Sequence, residues 1–454
     1  MTAIAIEAAA RKSRPDSQAH RLFNWLACWL VLPNLAFLPV TLMGGPPRAF
    51  DILVCAVTGL LLRRASYALR LGGFLTVLTY FAISFISRMF NMSVTMILSV
   101  AGLVFDLSPG VSLEYVAAAA MLALTCLAAF WMLRLRADFA GGRWMFAGVA
   151  AAIALAGADY AASREAMGSY ARLAPAGAAF SSATSQTGLA GLADGRRHVM
   201  LVMVEAMGQP TDPRLKARFD EIWARPEFAA RFDVVRGETP FFGSTTGGEM
   251  RELCQRWGDY PEIDGPQAGC LPARFAAVGY ETSAWHAFQP HFFDRERWYP
   301  LIGFHKTHFG EELVGKGAGY CPNVFPGACD RDIPALIGKQ LAQSHKPQFV
   351  YWLTLNSHLP VIEDRQLGTA DCRQTDAAHD ADFPMVCRIF AMWRDSAEAL
   401  ARMVAREDFP PTDILIVGDH MPPFTHQKSR LQFDPEKVPW ILLRYREPSE
   451  RPAR

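Results

Sequence analysis

Apolar and polar positions divide this chain at about residue 160. Before that point the apolar runs are long and nearly unbroken. After it they are short and separated by polar, amphipathic stretches. A membrane-crossing helix needs about 20 mostly apolar residues. Residues 23–43, 51–62, 71–86, 113–132 and 144–161 supply five candidate spans, the second of them only if it extends into its neighbours. Residues 92–104 are apolar but short, a pattern that predicts a half-embedded or interfacial helix, with a sixth span as the alternative.

The second half reads differently. Strand-like runs rich in Val, Ile, Leu, Trp and Tyr recur at 198–205, 348–355, 413–417 and 439–444. Helical patterns lie between them at 251–258, 273–280, 332–344 and 390–408. Strands alternating with helices predict an α/β domain with a mostly parallel sheet. An Ala/Gly/Ser/Thr-rich stretch, 174–195, reads as the connector. The expected organisation is an N-terminal segment (1–22), a helical membrane domain (23–161), a linker (162–197) and an α/β domain (198–454).

Charge fixes an orientation for this plan. Arg11, Lys12, Arg14 and Arg21 precede the first span; Arg63, Arg64 and Arg70 separate the second and third; Arg134, Arg136 and Arg143 separate the fourth and fifth. Five spans put all three clusters on the cytoplasmic side and the α/β domain outside. The start lacks the short apolar core and cleavage site of a signal peptide, so the first span reads as a retained anchor. A net charge of +1 argues against nucleic acid as a bulk electrostatic partner.

Cysteine placement agrees. Cys28, Cys55 and Cys126 fall in the spans and read as small apolar residues. Cys254, Cys270, Cys321, Cys329, Cys372 and Cys387 fall in the outer half as three close pairs. In an exported domain an even set reads as disulfides. Sequential pairing is expected: 254–270, 321–329 and 372–387. Reduced thiols are the reading for a cytosolic domain, and no CxxC spacing supports a zinc cluster.

Three apolar runs end in residues that metals bind. HVMLVMVEAMG carries Glu205 after its strand; DILIVGDH ends in Asp419 and His420; FVYWLTLNSH ends in His358. In parallel α/β sheets chemistry collects at the carboxyl ends of strands. Two carboxylates and an imidazole suit one divalent ion, Zn²⁺ or Mn²⁺. A threonine from Ser244-Thr245-Thr246 would complete the set, at the start of a helix whose N-terminus favours an anion. Each element alone is ordinary: Gly-Ser-Thr-Thr-Gly is more often a turn and helix cap, and Asp-His a cap with a surface histidine. Glu249 reads as a first-turn residue favoured by the helix dipole, and His426 as a weaker candidate.

VEAMG, GSTTGGEMRELC, TLNSHLP and GDHMPPF together resemble the sulfatase-like branch of the alkaline phosphatase superfamily. By pattern they are similar to its membrane phosphoglycerol and phosphoethanolamine transferases, lipoteichoic acid synthase and lipid A phosphoethanolamine transferase among them. The resemblance covers most of 198–445 and extends to the five-span anchor. It implies an alkaline-phosphatase-like fold, and Glu205, Thr245, Asp419 and His420 as ligands of one metal. Thr245 is the implied nucleophile, because the family threonine sits two residues after a glycine, here Gly243. Similarity around WHAFQPHFFDRERWYPLIGF implies a head-group pocket of His286, Phe293 and Arg295, with Phe where the synthase has Trp. His358 joins them as a phosphoryl contact. The implied reaction moves a phospholipid head group through a phospho-threonine to an envelope glycan or lipid, with the domain in the periplasm of a bacterial inner-membrane protein. The alternatives are a membrane-bound phosphodiesterase or sulfatase-like hydrolase and a catalytically inactive envelope scaffold. GSTTGGEMR lacks the C/S-x-P-x-R pattern of sulfatases, and the intact metal-type residues speak against a scaffold.

Overall fold

The computed structural model describes residues 17–99, 101–372 and 377–447. The basic residues Arg11, Lys12 and Arg14 and the polar tail 448–454 lie outside the described residues. The chain forms two compact units: one up to Phe85 plus Tyr115–Met167, the other Ile86–Glu114 plus Gly168 onward.

The first unit is helical. Tyr67–Met89, Leu113–Met132 and Gly142–Ala162 are each long and apolar enough to cross a membrane. Ala49–Leu62 has 14 residues, about 21 Å of helix against a hydrocarbon core of about 30 Å. The first expected span is broken. Gln18–Leu26 passes through a π-helical turn, Ala27–Val31, into Leu32–Leu35 and then Leu38–Leu42. Pro33 and Pro39 sit at the starts of the last two pieces, where a missing N–H ends the preceding ladder. Trp25, Trp29, Phe74 and Phe81 are buried inside, while Phe146 and Leu61 are 76% and 75% exposed. That inverted outer surface suits lipid rather than water. The basic turns meet at one end: Arg70 donates to the Leu135 carbonyl (2.9 Å), Asn24 to the Arg136 carbonyl (2.9 Å), and Arg21 pairs with Asp138 (3.1 Å).

The second unit is built on a seven-stranded sheet. Its strands are β1 (His198–Val204), β2 (Phe232–Pro240), β3 (Glu281–His286), β4 (Lys306–Phe309), β7 (Gln348–Leu353), β8 (Thr412–Gly418) and β9 (Lys437–Tyr445). A separate two-stranded ribbon pairs β5 (Tyr320–Cys321) with β6 (Gly327–Ala328). The sheet order is β2-β9-β8-β1-β7-β3-β4. From β8 to β4 every pairing is parallel; β9 and β2 join antiparallel at one edge. Strands β1, β7 and β8 are buried along their whole length, as expected where helices cover both faces. Strand β2 is the exposed edge and β4 is four residues long. Neither carries the apolar run by which buried strands announce themselves, and β3 mixes Glu, Thr, Ser and His into its six residues.

Residues 86–114 fold with the second unit and include the short helices Val94–Ser99, Ala101–Asp106 and Pro109–Val111. Arg172 N donates to Asn91 Oδ1 (2.9 Å), Ser108 N to the Val324 carbonyl (2.8 Å), and His291 Nε2 lies 2.7 Å from Asp106 Oδ2. The three disulfides form in the sequential pairing expected, and Cys28, Cys55 and Cys126 are free thiols.

Candidate active site

Register sets the centre. In the parallel pair β1–β8, Val204 lies opposite Gly418. The next residue on each strand is a carboxylate, Glu205 and Asp419, so the two arrive side by side at the sheet's carboxyl edge. His420 follows at once. Ligand atoms of Glu205, Asp419 and His420 all fall within 4.8 Å of one another, and all three residues are buried. Gly418 is required here, since a Cβ would come 1.9 Å from the Met207 carbonyl oxygen.

Thr245 enters from the other side as the first residue of the helix Thr245–Cys254. Its hydroxyl donates to Glu205 Oε2 (3.1 Å) and lies 3.3 Å from His420 Nε2. The Ser244 side chain does not cap the helix, which leaves its first N–H groups directed at the site. The helix is buried from Thr245 to Leu253. Gly248 lets it pack against Asp419, whose Cα would be 3.1 Å from a Cβ there.

The donor set fits a divalent cation. Asp419 Oδ1 accepts from the Ala206 N–H (2.7 Å) and its neighbour's N–H, that of His420 (2.6 Å). Glu205 Oε1 and Asp419 Oδ2 are buried with no hydrogen-bond partner, a costly state without a compensating charge. Burial, then the Asp419 carboxylate, pushes the Glu205 carboxyl well above the ordinary range. His420 Nδ1 faces the Met421 carbonyl oxygen at 2.9 Å. A carbonyl can only accept, so Nδ1 donates to it and Nε2 is the ring nitrogen that faces the cluster.

The other expected residues surround this centre differently. His286 Nδ1 lies 3.2 Å from the Leu353 carbonyl oxygen and His358 Nδ1 lies 2.9 Å from its neighbour's carbonyl oxygen, that of Leu359. By the same reasoning Nδ1 of each donates, and the lowered pKa of each leaves Nε2 unprotonated. Burial, then the positive Arg295, lowers the His286 pKa well below its usual value. Burial, then His420, takes His358 down to about 3. His358 is held between Phe90 (6.0 Å, stacked) and Phe325 (3.8 Å). Arg295 is 1% exposed. Its Nη2 and Nε bond Glu249 (2.8 and 3.2 Å) and its Nη1 the Phe292 carbonyl (3.2 Å). The Phe293 ring lies 5.5 Å from the Arg295 guanidinium. His426 bonds Ser429 (3.2 Å) and is not part of the metal-type cluster.

Three residues gained roles that the chain pattern did not announce. Glu249 is fully buried rather than a solvated first-turn acid. It receives Arg295, Tyr351 (3.1 Å) and, at short range, Tyr299. Arg251, also fully buried, donates to the carbonyls of Asp419 (3.0 Å) and Gly418 (2.6 Å) while pairing with Glu252 (2.6 Å). Glu252 in turn accepts from the Ala183 and Thr184 N–H groups (3.2 and 2.9 Å). The available signal was the motif itself, GGEMRELC, which puts three charges on a helix beside two glycines.

A sequence model of the Sulfatase family matches residues 256–443. The matched segment contains Asp419 and His420 and begins after Glu205 and Thr245. No curated protein matches the chain. Among solved structures, lipoteichoic acid synthase LtaP from Listeria monocytogenes is 14% identical with a TM-score of 0.42, over 56% of this chain and 66% of that one, just under two thirds of its length. The integral membrane lipooligosaccharide phosphoethanolamine transferase A of Neisseria meningitidis is 12% identical with a TM-score of 0.45, over 94% of this chain and 88% of that one. The Streptococcus pyogenes phosphoglycerol transferase GacH, solved with sn-glycerol-1-phosphate, is 14% identical with a TM-score of 0.36, over 57% and 73%. Likenesses this distant say nothing about substrate.

Proposed function

We propose that this chain is a metal-dependent phosphotransferase that moves a phospholipid head group, phosphoglycerol or phosphoethanolamine, onto an envelope glycan or lipid through Thr245. The observation that carries this reading is the meeting of Thr245 Oγ1 with Glu205 and His420, at an uncapped helix N-terminus, beside two buried carboxylate oxygens that lack partners. Glu205, Asp419, His420 and Thr245 would hold one Zn²⁺ or Mn²⁺ ion. Such an ion, when bound, lowers the pKa of a ligating hydroxyl and neutralises phosphoryl charge.

The chain's own residues then do the following. Thr245 Oγ attacks the phosphorus of a lipid phosphodiester, forming a Thr–O–P bond as the bond from phosphorus to the diacylglycerol oxygen breaks. The hydroxyl already donates to Glu205 Oε2, the direction in which its proton leaves. First-turn N–H groups of Thr245–Cys254 receive the non-bridging oxygens. His286, Phe293, Arg295 and His358 form the substrate wall, and Arg295 places a fixed positive charge there, oriented by Glu249. The proton leaving Thr245 is carried to the departing diacylglycerol oxygen, and the acceptor hydroxyl's proton is carried to the Thr245 oxygen as that is displaced, with the unprotonated Nε2 atoms of His286 and His358 as relays. The spanning helices supply what a lipid donor requires, a catalyst held at the bilayer, with the α/β unit on the periplasmic side.

The test is mass spectrometry of Thr245 after the purified protein meets a phospholipid extract. A head-group adduct on Thr245, lost in Thr245→Ala and after chelation, is the expected result. Wild-type turnover by Thr245→Ala would refute the reading.

A further inference from the structure

A cleft of about 690 Å³ lies in the second unit, walled by three parts of the chain. Ser93, Thr95, Met96 and Ser99 form one side, residues 173–178 another, and Phe242, Gly243 and residues 257–262 the third. None of Glu205, Thr245, Asp419 or His420 lines it. It is nonetheless linked to the helix start that carries the nucleophile: Gly243 stands two residues before Thr245, and the Asp259 carboxylate bonds the hydroxyl of Thr246.

Its chemistry is selective. The volume falls within the range of small-molecule sites, about 300–1,000 Å³. Among the lining residues there is no Lys, Arg or His, while Asp259 and Glu262 both carry carboxylates. Arg256 lies 3.7 Å from Glu262 and the Arg172 guanidinium 4.7 Å from the Phe242 ring, but neither contributes a wall. An anionic phosphate head group would meet two carboxylates and no lining cation to grip it. An acyl chain would lay apolar surface over two carboxylates and three hydroxyls and offer them no hydrogen bond. Trp257 meets Phe242 (4.9 Å) and Phe180 (5.2 Å) edge to face, and its half-buried indole lines the cleft beside these polar groups. An aromatic face flanked by carboxylates and hydroxyls is what a sugar ring requires: its C–H face stacks, and its hydroxyls donate to the acids.

We infer that this cleft binds a neutral saccharide of two or so rings. Resting on the function proposed above, that saccharide is the acceptor, presented by the 93–99 segment to phosphorylated Thr245. A ring hydroxyl attacks phosphorus, the Thr–O–P bond breaks, and the hydroxyl's proton passes to the threonine oxygen. The donor lipid and the acceptor thus approach from separate compartments, one through the metal centre's substrate wall and one through this cleft.

The experiment uses the full chain in lipid nanodiscs. Saturation-transfer NMR with maltose and chitobiose measures binding independently of catalysis. At least one disaccharide binds the wild type, and Trp257→Ala and Glu262→Gln each weaken that binding at least tenfold while keeping the wild-type thermal unfolding midpoint. Absence of binding by both sugars, or binding indifferent to both substitutions, overturns the site. Mass spectrometry of the bound disaccharide, with phospholipid present, then tests the acceptor role. Head-group transfer onto the sugar supports it; binding without transfer, in protein that does form the Thr245 adduct, removes it. Failure of the wild type to form that adduct counts against the proposed function and leaves the binding result to stand alone.

Discussion

Glu249 illustrates what a single residue decides in this protein. Its carboxylate is fully buried, yet it gathers Arg295, Tyr299 and Tyr351 into one network. Burial alone would disfavour the Arg295 charge; the Glu249 carboxylate outweighs it and raises the guanidinium's pKa above its ordinary value. Removing one partner of such a pair leaves the other charge buried and alone, a cost of about 3–5 kcal/mol. Glu249→Gln keeps the shape and removes the charge. The expected result is a thermal unfolding midpoint at least several degrees lower, together with lost activity. An unchanged midpoint would show that the pair adds nothing to the fold. Glu249 was legible as a helix residue but not as this anchor, because its partners come from elsewhere in the chain: Arg295 and Tyr299 from one helix and Tyr351 from β7.

At the scale of elements, the loop leaving β7 is held by one acid. Asp330 accepts the Leu355 and Asn356 N–H groups (2.8 and 2.6 Å), fixing the path toward His358. Burial raises its pKa to about 7. The folded carboxyl therefore keeps a proton that the unfolded chain releases near its ordinary pKa of about 4. The stability this proton contributes is full below that value and is lost as pH rises through about 7. Asp330→Asn retains an acceptor but no titrating group. Comparing thermal unfolding at pH 5 and pH 8, the variant should show a smaller alkaline loss than the wild type, by a few degrees. An identical pH dependence in both proteins would rule this account out. The strands β1, β7, β8 and β9 were legible because burial on both faces demands continuous apolar runs. Strands β2, β3 and β4 were not: an exposed edge, a polar-rich strand and a four-residue strand carry no such run.

For the whole molecule, the basic turns converging at one end of the helical unit set the expected topology. Single cysteines make it measurable. Ser66→Cys and Ala140→Cys should react with an impermeant maleimide only after cells are lysed, whereas Ala176→Cys should react in intact spheroplasts. The opposite labelling would place the α/β unit in the cytoplasm. The three disulfides are consistent with the outside location.

By itself the sequence determined the two-part plan, the apolar helices, the principal parallel strands and the pairing of the cysteines. These depend on local composition, on strand-period and helix-period patterning and on short spacings, all of which are written along the chain. It also placed Glu205, Asp419 and His420 at strand ends, where a parallel sheet gathers polar residues. Only the tertiary structure decided how they meet. The β1–β8 register brings two carboxylates together, the close approach at Gly248 brings a buried helix against them, and Arg251 grips the backbone of Gly418 and Asp419. Residues 86–114 joined the α/β unit for the same reason. Their apolar character says they must be covered, but only long-range contacts choose between lipid and protein as the cover.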